Sequence, residues 1–592
     1  MNELRYAWRG LWRTPTVTAV AVLSLALGIG ASTAIFSVTN AVILRSLPVN
    51  RPEDLVMLRY VSKKGNIFDS FAYSDYLVFR DTPGALAGLA AVFSAEVNVS
   101  SDLATERLQA QLVSGNYFPL LGAGARIGRT IGPDDDRKAG GHPVCMIGYS
   151  LWQRRYGSSP SVAGQSMDIN GRPYTIVGVA AEGFHGTEQG REPQVYIPLM
   201  MSAQVLSRPV DEQVQPPFLK WTDWLQFIGR RQPGVSVARA EAVLDARFEQ
   251  LELAHRDTTF EMSSRHGTPG TRSRLQVVGG RQGFDGLRFG YERPLRILLV
   301  LVGLLLSIAC ANVANLLLAR ATGRRKETAI RMALGGGPWA LIRQLLAESV
   351  LLAAAGAACG LLLSVWISDL LLRTAFIDEA HIDVRPDLTV VGFLLGVTCL
   401  TTLLFGLAPA LSLLKASVAP ALKSEGGGAG KRRGVLGGAL VVVQVTLSVT
   451  LLAGAGLLLR SLHNLESIQT GFRPQNVVLA SLNPGANHYS REQSRTLFMA
   501  LMERAEAIPG VQAVSASLVS PLSGALWLYS VEVPGYQAAR GETPMVYFNA
   551  IGPAYFASLG VAMKQGREFT RVDRGDAPPV AVVNEEMARK FW

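Results

Sequence analysis

Three stretches of this 592-residue chain carry residue types that chemistry could use. Asp134-Asp135-Asp136 sets three carboxylates side by side. Such a run can attract a hard cation, but a solvated acidic turn is the simpler reading and the one expected here. Gly426–Lys431-Arg432 approaches the pattern GxxxxGK[ST], in which backbone N–H groups and a lysine cradle phosphate. Glu425 stands where the first glycine belongs and Arg432 replaces the Ser/Thr, so the stretch reads as a flexible Gly-rich tether, and the chain is expected not to be an ATPase. The seven histidines are scattered without an HExxH. The four cysteines, Cys145, Cys310, Cys359 and Cys399, form no CxxC pair, and no GxSxG occurs. No catalytic residue, cofactor site or metal site is therefore expected. What remains is a strongly basic stretch between residues 319 and 347, whose meaning depends on the elements around it.

Those elements are set by hydropathy. Hydrophobic residues make up 48% of the chain and mean hydropathy is +0.22, while charged residues are 17%, below the roughly 25% of soluble domains. Five segments contain no Asp, Glu, Lys or Arg: Thr14–Leu44, Ile297–Ala319, Ser349–Ser368, Leu388–Leu414 and Gly434–Leu459. Each reaches the roughly 20 residues that a helix needs to cross a bilayer core. The first far exceeds the roughly 7–15-residue apolar core of a signal peptide, so it is expected to remain as a span. None of the five runs contains a charged residue or a histidine, which disfavours a proton pathway. Asn40, Asn312, Asn315 and Gln444 are expected to hydrogen-bond between helices.

Charge fixes the orientation. The N-terminus carries +2, residues 319–347 carry +5 and residues 415–433 carry +4, which together account for the whole net charge of +11. The short loop 369–387 is acidic, with Asp369, Asp378, Glu379, Asp383 and Asp387. Basic loops stay in the cytoplasm, so the N-terminus is inside, and the basic pI is a topology signal with no nucleic-acid footprint in it. The expected layout is a cytoplasmic segment 1–15, a span 16–44, a periplasmic domain 45–294, a span 295–319, a cytoplasmic segment 320–347, and spans 348–372 and 388–414. A cytoplasmic linker 415–433, a span 434–459 and a second periplasmic domain 460–592 complete it. Both outside domains read as mixed α/β (α+β). Leu55–Val61 and Leu89–Val99 alternate as strands, Tyr73–Arg80 and Val237–Leu253 are helical, and Asn170-Gly171 turns a hairpin within Met167–Val177. In the second domain, Val477–Leu482, Ser490–Ala507 and Val511–Leu518 read as β-α-β, with a turn at Pro509-Gly510. Trp221, Trp224 and Phe227 are core or membrane-interface residues.

The chain also repeats itself. Leu44-Arg45-Ser46-Leu47 matches Leu459-Arg460-Ser461-Leu462; Tyr117–Gly122 matches Tyr555–Gly560; Gly128-Arg129 matches Gly566-Arg567; Pro143-Val144 matches Pro579-Val580. The fold class is thus a multi-span α-helical membrane protein, internally duplicated, whose second copy stops at Trp592 and is expected to be truncated.

The basic loop reads Ala319-Arg-Ala-Thr-Gly-Arg-Arg-Lys-Glu-Thr-Ala-Ile-Arg331-Met-Ala-Leu-Gly-Gly-Gly-Pro338 and continues to Ile342-Arg-Gln-Leu-Leu-Ala-Glu348-Ser349. It predicts a short amphipathic helix with Ala329, Ile330, Ala333 and Leu334 on one side, ended by Gly335–Gly337, with Pro338 opening the next helix. This segment resembles the cytoplasmic hallmark of the FtsX/MacB-type permeases of ABC transporters, and the first span is similar to the duplicated permeases of that family found in acidobacteria. The resemblance runs along the whole chain. It implies a multi-pass protein of the bacterial inner membrane with MacB-like periplasmic domains. It also implies a cytoplasmic ABC ATPase partner that docks on the helix containing Glu327–Leu334. Arg324, Arg325, Lys326 and Arg331 would face acidic groups on that partner, with Ile330, Leu334 and Gly335 shaping the contact and Glu348 opening the third span. The implied function is export or extraction of an antimicrobial, a peptide or a lipoprotein; the alternative is a non-transporting relay that regulates a periplasmic partner such as a hydrolase. A periplasmic adaptor is a further possible partner. One full-length chain, being duplicated, would supply both halves of a pseudo-dimer.

Overall fold

The computed structural model describes residues 12, 14–62, 65–100, 105–188, 190–206, 223–255, 273–284, 286–323, 338–375, 384, 386–414, 434–468, 470–487, 489–523, 527–537, 544–573 and 577–592. The chain divides into two compact units. One holds residues up to Arg45, Glu188–Arg191 and Asp285–Ile468; the other holds Ser46–Thr187, Glu192–Phe284 and Gln469–Trp592.

The first unit is built of apolar helices: Pro15–Thr39, Gly286–Gly323, Pro338–Ala375, Leu388–Leu414 and Gly434–Glu466, called here the first to fifth helices. By length and composition, four stretches among the described residues suit a membrane crossing: Pro15–Leu44, Gly290–Leu317, Leu346–Thr374 and Val441–Glu466. The fourth helix runs 27 residues over Leu388–Leu414 without a charged residue, and Leu388–Leu404 of it is a further apolar stretch. Pro338 opens the third helix as its sequence predicts.

The second unit contains a mixed sheet. Its strands are β1 (Leu55–Val61), β2 (Ile67–Phe68), β3 (Leu86–Ser100), β4 (Thr105–Val113), β5 (Ala125–Gly128), β6 (Val144–Ile147), β7 (Ser166–Ile169), β8 (Arg172–Ala180), β9 (Val195–Pro198), β10 (Gln226–Arg231) and β11 (Arg274–Gly279). The order is β11-β1-β10-β3-β4-β9-β6-β8-β5, with β2 on β1 and β7 on β3 and β8. Most neighbours are antiparallel, but β4 runs parallel to β9 and β6 parallel to β8. Side chains alternate between two cores because successive Cβ atoms point to opposite faces. Val56, Leu58, Leu112, Ile147 and Phe227 enter one core, whereas Leu55, Met57, Val113, Met146 and Ile228 enter the other. Both faces are therefore covered, which explains why these strands are apolar nearly throughout. Helices Tyr73–Arg80 and Tyr149–Tyr156 carry the aromatics Tyr76, Phe79 and Trp152 into the first core, where helix Val237–His255 adds Phe248. The second core is built on helix Tyr117–Leu121. The hairpin turn has positive φ at both Asn170 (52°) and Gly171 (74°), the geometry that Asn-Gly favours. Phe227 is a core residue, stacked on Phe71 at 4.8 Å, and Trp224 packs edge-on against Phe93; Trp221 lies outside the described residues.

The acidic turn departs from expectation. Only Asp134 is strongly exposed, at 83%. Asp135 receives a two-pronged hydrogen bond from Arg129, at 2.6 and 2.8 Å, and another from the Gly132 N–H. Asp136 accepts from the N–H groups of Gly115 and Met200. The run is a staple joining three loops, and no group of three or more His, Cys, Asp or Glu suited to a metal occurs among the described residues. The Arg129 guanidinium holds the Asp135 carboxyl below its ordinary range. Burial instead pushes Asp136 up to about 6, against the pull of its two backbone donors. The two acids thus act oppositely. The Asp135 contribution is complete above about pH 4 and is lost as pH falls through its lowered value, whereas Asp136 costs stability as pH rises from about 4 to about 6. Arg129→Ala is expected to destabilise the sheet domain by about 1–2 kcal/mol at pH 7, a modest value because the arginine is half exposed. Chemical denaturation of the detergent-solubilised chain at pH 7 and pH 3.5 checks this; the gap between variant and parent should narrow at the lower pH.

The staple recurs near the end of the chain. Arg567 grips Asp573 with two bonds of 2.7 Å, and the Thr570 N–H donates to the same carboxylate. Gly128 and Gly566, each just before its arginine, have φ of 70° and 77°. Helix Tyr555–Leu559 ends at left-handed Gly560 as helix Tyr117–Leu121 ends at left-handed Gly122. Their closing bonds also correspond: Val561 N–H to Phe556 O, and Ala123 N–H to Phe118 O. The bridge Ser517↔Ile551 occupies the place of Val92↔Val113. The rest of this second module differs from its sequence reading. Helix Arg491–Glu506 forms, capped by Ser490 and Gln493, but Val477–Leu482 is not a strand, and Val511–Leu518 makes only the single bridge at Ser517. A short pair, β12 (Leu528–Ser530) and β13 (Met545–Tyr547), stands near them in sequence. A strand needs neighbours on its edges, and these segments find almost none among the described residues.

Candidate functional site in the helical unit

The basic loop joins the second helix to the third, and both of those helices grip the first. On the third helix, every fourth residue from Glu348 is buried: Glu348, Leu352, Gly356, Gly360, Ser364 and Ser368. Residues four apart share one helix face, and the small ones let backbones approach. A Cβ on Gly360 would sit 3.1 Å from the Gly30 nitrogen and 3.2 Å from the Ala26 oxygen; one on Gly356 would sit 2.6 Å from Leu25 Cβ. On the other side, a Cβ on Gly28 would lie 3.2 Å from Ala309 Cβ of the second helix. The first helix is thus wedged between the two helices that flank the loop. The share of residues buried is 56% in the first span and 28% in each of the next two.

At its far end the first helix changes character. Asn40–Leu44 is a π turn, in which the Arg45 N–H bonds to Asn40 O at 2.8 Å. Such turns widen a helix and often mark functional positions. The Asn40 side chain donates to Asp387 at 2.9 Å, and Asp387 in turn caps the fourth helix by accepting from the Val390 N–H. Phe36 stacks on Phe393 at 3.9 Å. From Arg45 the chain continues directly into the sheet domain. Asn315 donates to Gln444 of the fifth helix at 3.2 Å. Of the four amides singled out by sequence, Asn40, Asn315 and Gln444 therefore bond between helices.

The predicted contact residues Arg324, Arg325, Lys326, Glu327, Ile330, Arg331, Leu334 and Gly335 lie outside the described residues. Glu348 is described and lies near the start of the apolar stretch Leu346–Thr374. The third helix begins at Pro338, so Glu348 lies about 15 Å from the helix start at about 1.5 Å per residue. Glu348 is 3% exposed, one turn before Leu352 and Ala353 in the seam facing the first helix. The glycine seam itself was missed by sequence reasoning; Gly356-Ala-Ala-Cys-Gly360 was its signal.

A sequence profile of the MacB-like periplasmic core domain matches residues 18–247 and 435–592, and one of the FtsX-like permease C-terminal domain matches residues 299–418. The chain belongs to the FtsX/MacB-type family of ABC transporter permeases. The macrolide export ATP-binding/permease protein MacB of Escherichia coli K12 is 24% identical over 434 residues, 72% of this chain and 61% of MacB. The MacB of Shigella flexneri matches equally. This FtsX/MacB-type chain thus spans about 61% of the length of those relatives. Among solved structures, the extracellular domain of the noncanonic ABC-type transporter YknZ from Gram-positive bacteria is 14% identical. The match covers 38% of this chain and 99% of that one, with a TM-score of 0.27. The periplasmic region of MacB from Actinobacillus actinomycetemcomitans is 12% identical, with 40% and 92% covered and a TM-score of 0.28.

Proposed function

We propose that this FtsX/MacB-type chain is the permease subunit of an ABC machine of the bacterial inner membrane, with its N-terminus in the cytoplasm. A separate ATPase subunit docks on the loop that carries Arg324, Arg325, Lys326, Glu327, Ile330, Arg331, Leu334 and Gly335. ATP-driven closure of that partner displaces the second and third helices. Because these clamp the first helix through glycine contacts that have no slack, the displacement passes to the Asn40–Leu44 turn and on to the periplasmic domain. The observation that carries this reading is the wedge: the loop's two flanking helices are the ones that hold the helix leading outward. Buried Glu348 stiffens the inner end of that seam.

The cargo is an antimicrobial, a peptide or a lipoprotein; the macrolide export named for the relatives fits the first class. The two staples, Arg129–Asp135 and Arg567–Asp573, together with the two segments matched by the periplasmic profile, support a duplicated chain that supplies both halves of a transporting pair. Copurification tests the reading. The chain, reconstituted with a candidate ABC ATPase, should raise its vanadate-sensitive ATP turnover several-fold; identical turnover with and without the chain would remove the proposed coupling. Single cysteines placed at residues 324–331 in a background without native cysteines should label only from the cytoplasmic side.

A further inference from the structure

The far end of the first helix is packed among apolar side chains. Val38, Val42 and Ile43 are buried with Leu295 of the second helix, and Leu371 and Leu372 of the third pack against them. Ser37, Thr39 and Asn40 are buried at the same level. The two hydroxyls turn back on their own helix: Ser37 donates to Thr33 O at 2.8 Å and Thr39 to Ile35 O at 2.7 Å. Asn40 instead reaches across. Its amide donates to Asp387 Oδ2, while the other oxygen of that carboxylate, Oδ1, accepts the Val390 N–H and so caps the fourth helix. One carboxylate thus serves two helices, each through its own oxygen. The positive charge of Arg45, whose N–H closes the π turn on Asn40 O, acts on the same group. Phe393, farther along the fourth helix, stacks on Phe36, earlier in the first, so the two helices meet antiparallel over this stretch.

We propose that Asp387 is a positioning residue: it fastens the far end of the first helix in its resting position, and the stroke that moves this helix opens the Asn40–Asp387 bond. An amide left without an acceptor in apolar surroundings is penalised, so the bond favours one position of the helix and resists small drifts. The π turn supplies the place where the helix gives way, since its wider winding is already a departure from regular geometry. The stroke rests on the transport reading; the fastening does not, and the two are tested by separate measurements.

The test exchanges the two partners. Asn40→Asp sets two carboxylates against each other and should release the turn. Adding Asp387→Asn restores one donor and one acceptor in reverse order, and asparagine caps a helix as well as aspartate does. Asp387→Ser is a second way to release the turn, because its single oxygen still caps the fourth helix but leaves none for Asn40. Amide hydrogen exchange of the peptide covering residues 37–48, read by mass spectrometry on the detergent-solubilised chain, should be about tenfold faster in Asn40→Asp and in Asp387→Ser, the scale of one hydrogen bond to a charged group. It should return to the parent rate in the swapped double variant. Exchange in strand β1 should stay unchanged throughout. Parent-like exchange in both single variants, or fast exchange that the swap does not reverse, overturns the fastening. With an ATPase partner present, stimulated turnover should rise several-fold in Asn40→Asp and fall back in the double variant; turnover unmoved by either removes Asp387 from the stroke. A parent chain that stimulates no turnover at all would count against the transport reading, and the exchange rates would still decide the fastening.

Discussion

Replacing Gly360 by leucine is expected to separate the third helix from the first and abolish a well-folded helical unit. The reason is geometric. The atoms that a Cβ at position 360 would meet, the Gly30 nitrogen and the Ala26 oxygen, belong to backbone. A flexible side chain can rotate away from an intruder, but a helix backbone cannot. Gly30 faces the same constraint in reverse, since its own Cβ would lie 2.9 Å from the Gly360 oxygen. Overpacking in a tight core costs about 1–3 kcal/mol even where side chains can adjust, and here relief requires moving a whole helix. Gly396→Leu supplies the control, because nothing lies within 4 Å of a Cβ built on that fourth-helix residue; its effect should stay within about 0.5 kcal/mol. Thermal unfolding in detergent, read alongside size-exclusion profiles, distinguishes the two. Equal behaviour of Gly360→Leu and Gly396→Leu would refute the close approach.

The second large effect is expected at the loop. Arg331→Glu combined with Leu334→Asp should reduce ATPase-stimulated turnover at least about tenfold and weaken copurification. The leucine belongs to the apolar side of the predicted amphipathic helix, and a carboxylate there carries a desolvation cost into any interface. The arginine reversal adds like-charge repulsion against the acidic surface expected on the partner. Arg373→Glu is the matched control. It reverses a charge at the other end of the third helix, on an exposed residue that pairs with Asp369 at 3.0 Å. Turnover unchanged in the double variant, or reduced equally by Arg373→Glu, would detach the loop from coupling.

Several elements could be read directly from residue order. The helix at Tyr73–Arg80 and the strand at Leu55–Val61 fall where periodicity puts them, and Asn170-Gly171 turns its hairpin with both residues at positive φ. These are local matters, settled by turn chemistry and by spacing of 2 or 3.6 residues. Others resisted. The acids at 134–136 look solvated in sequence because their partners are not adjacent: Arg129 is five residues before the run, and the Met200 N–H is sixty-four residues from Asp136. The burial of Glu348 was not legible either, because the uncharged run begins only at Ser349 while the helix already starts at Pro338.

Amino-acid order by itself thus determined the apolar helices, the α/β character of the first sheet domain and the family, since all of these depend on composition, spacing and local motif. Tertiary structure alone decided which helix is wedged between which and that Asp135 and Asp136 clamp loops. Those facts depend on distances between residues far apart in the chain, and no local pattern encodes a distance.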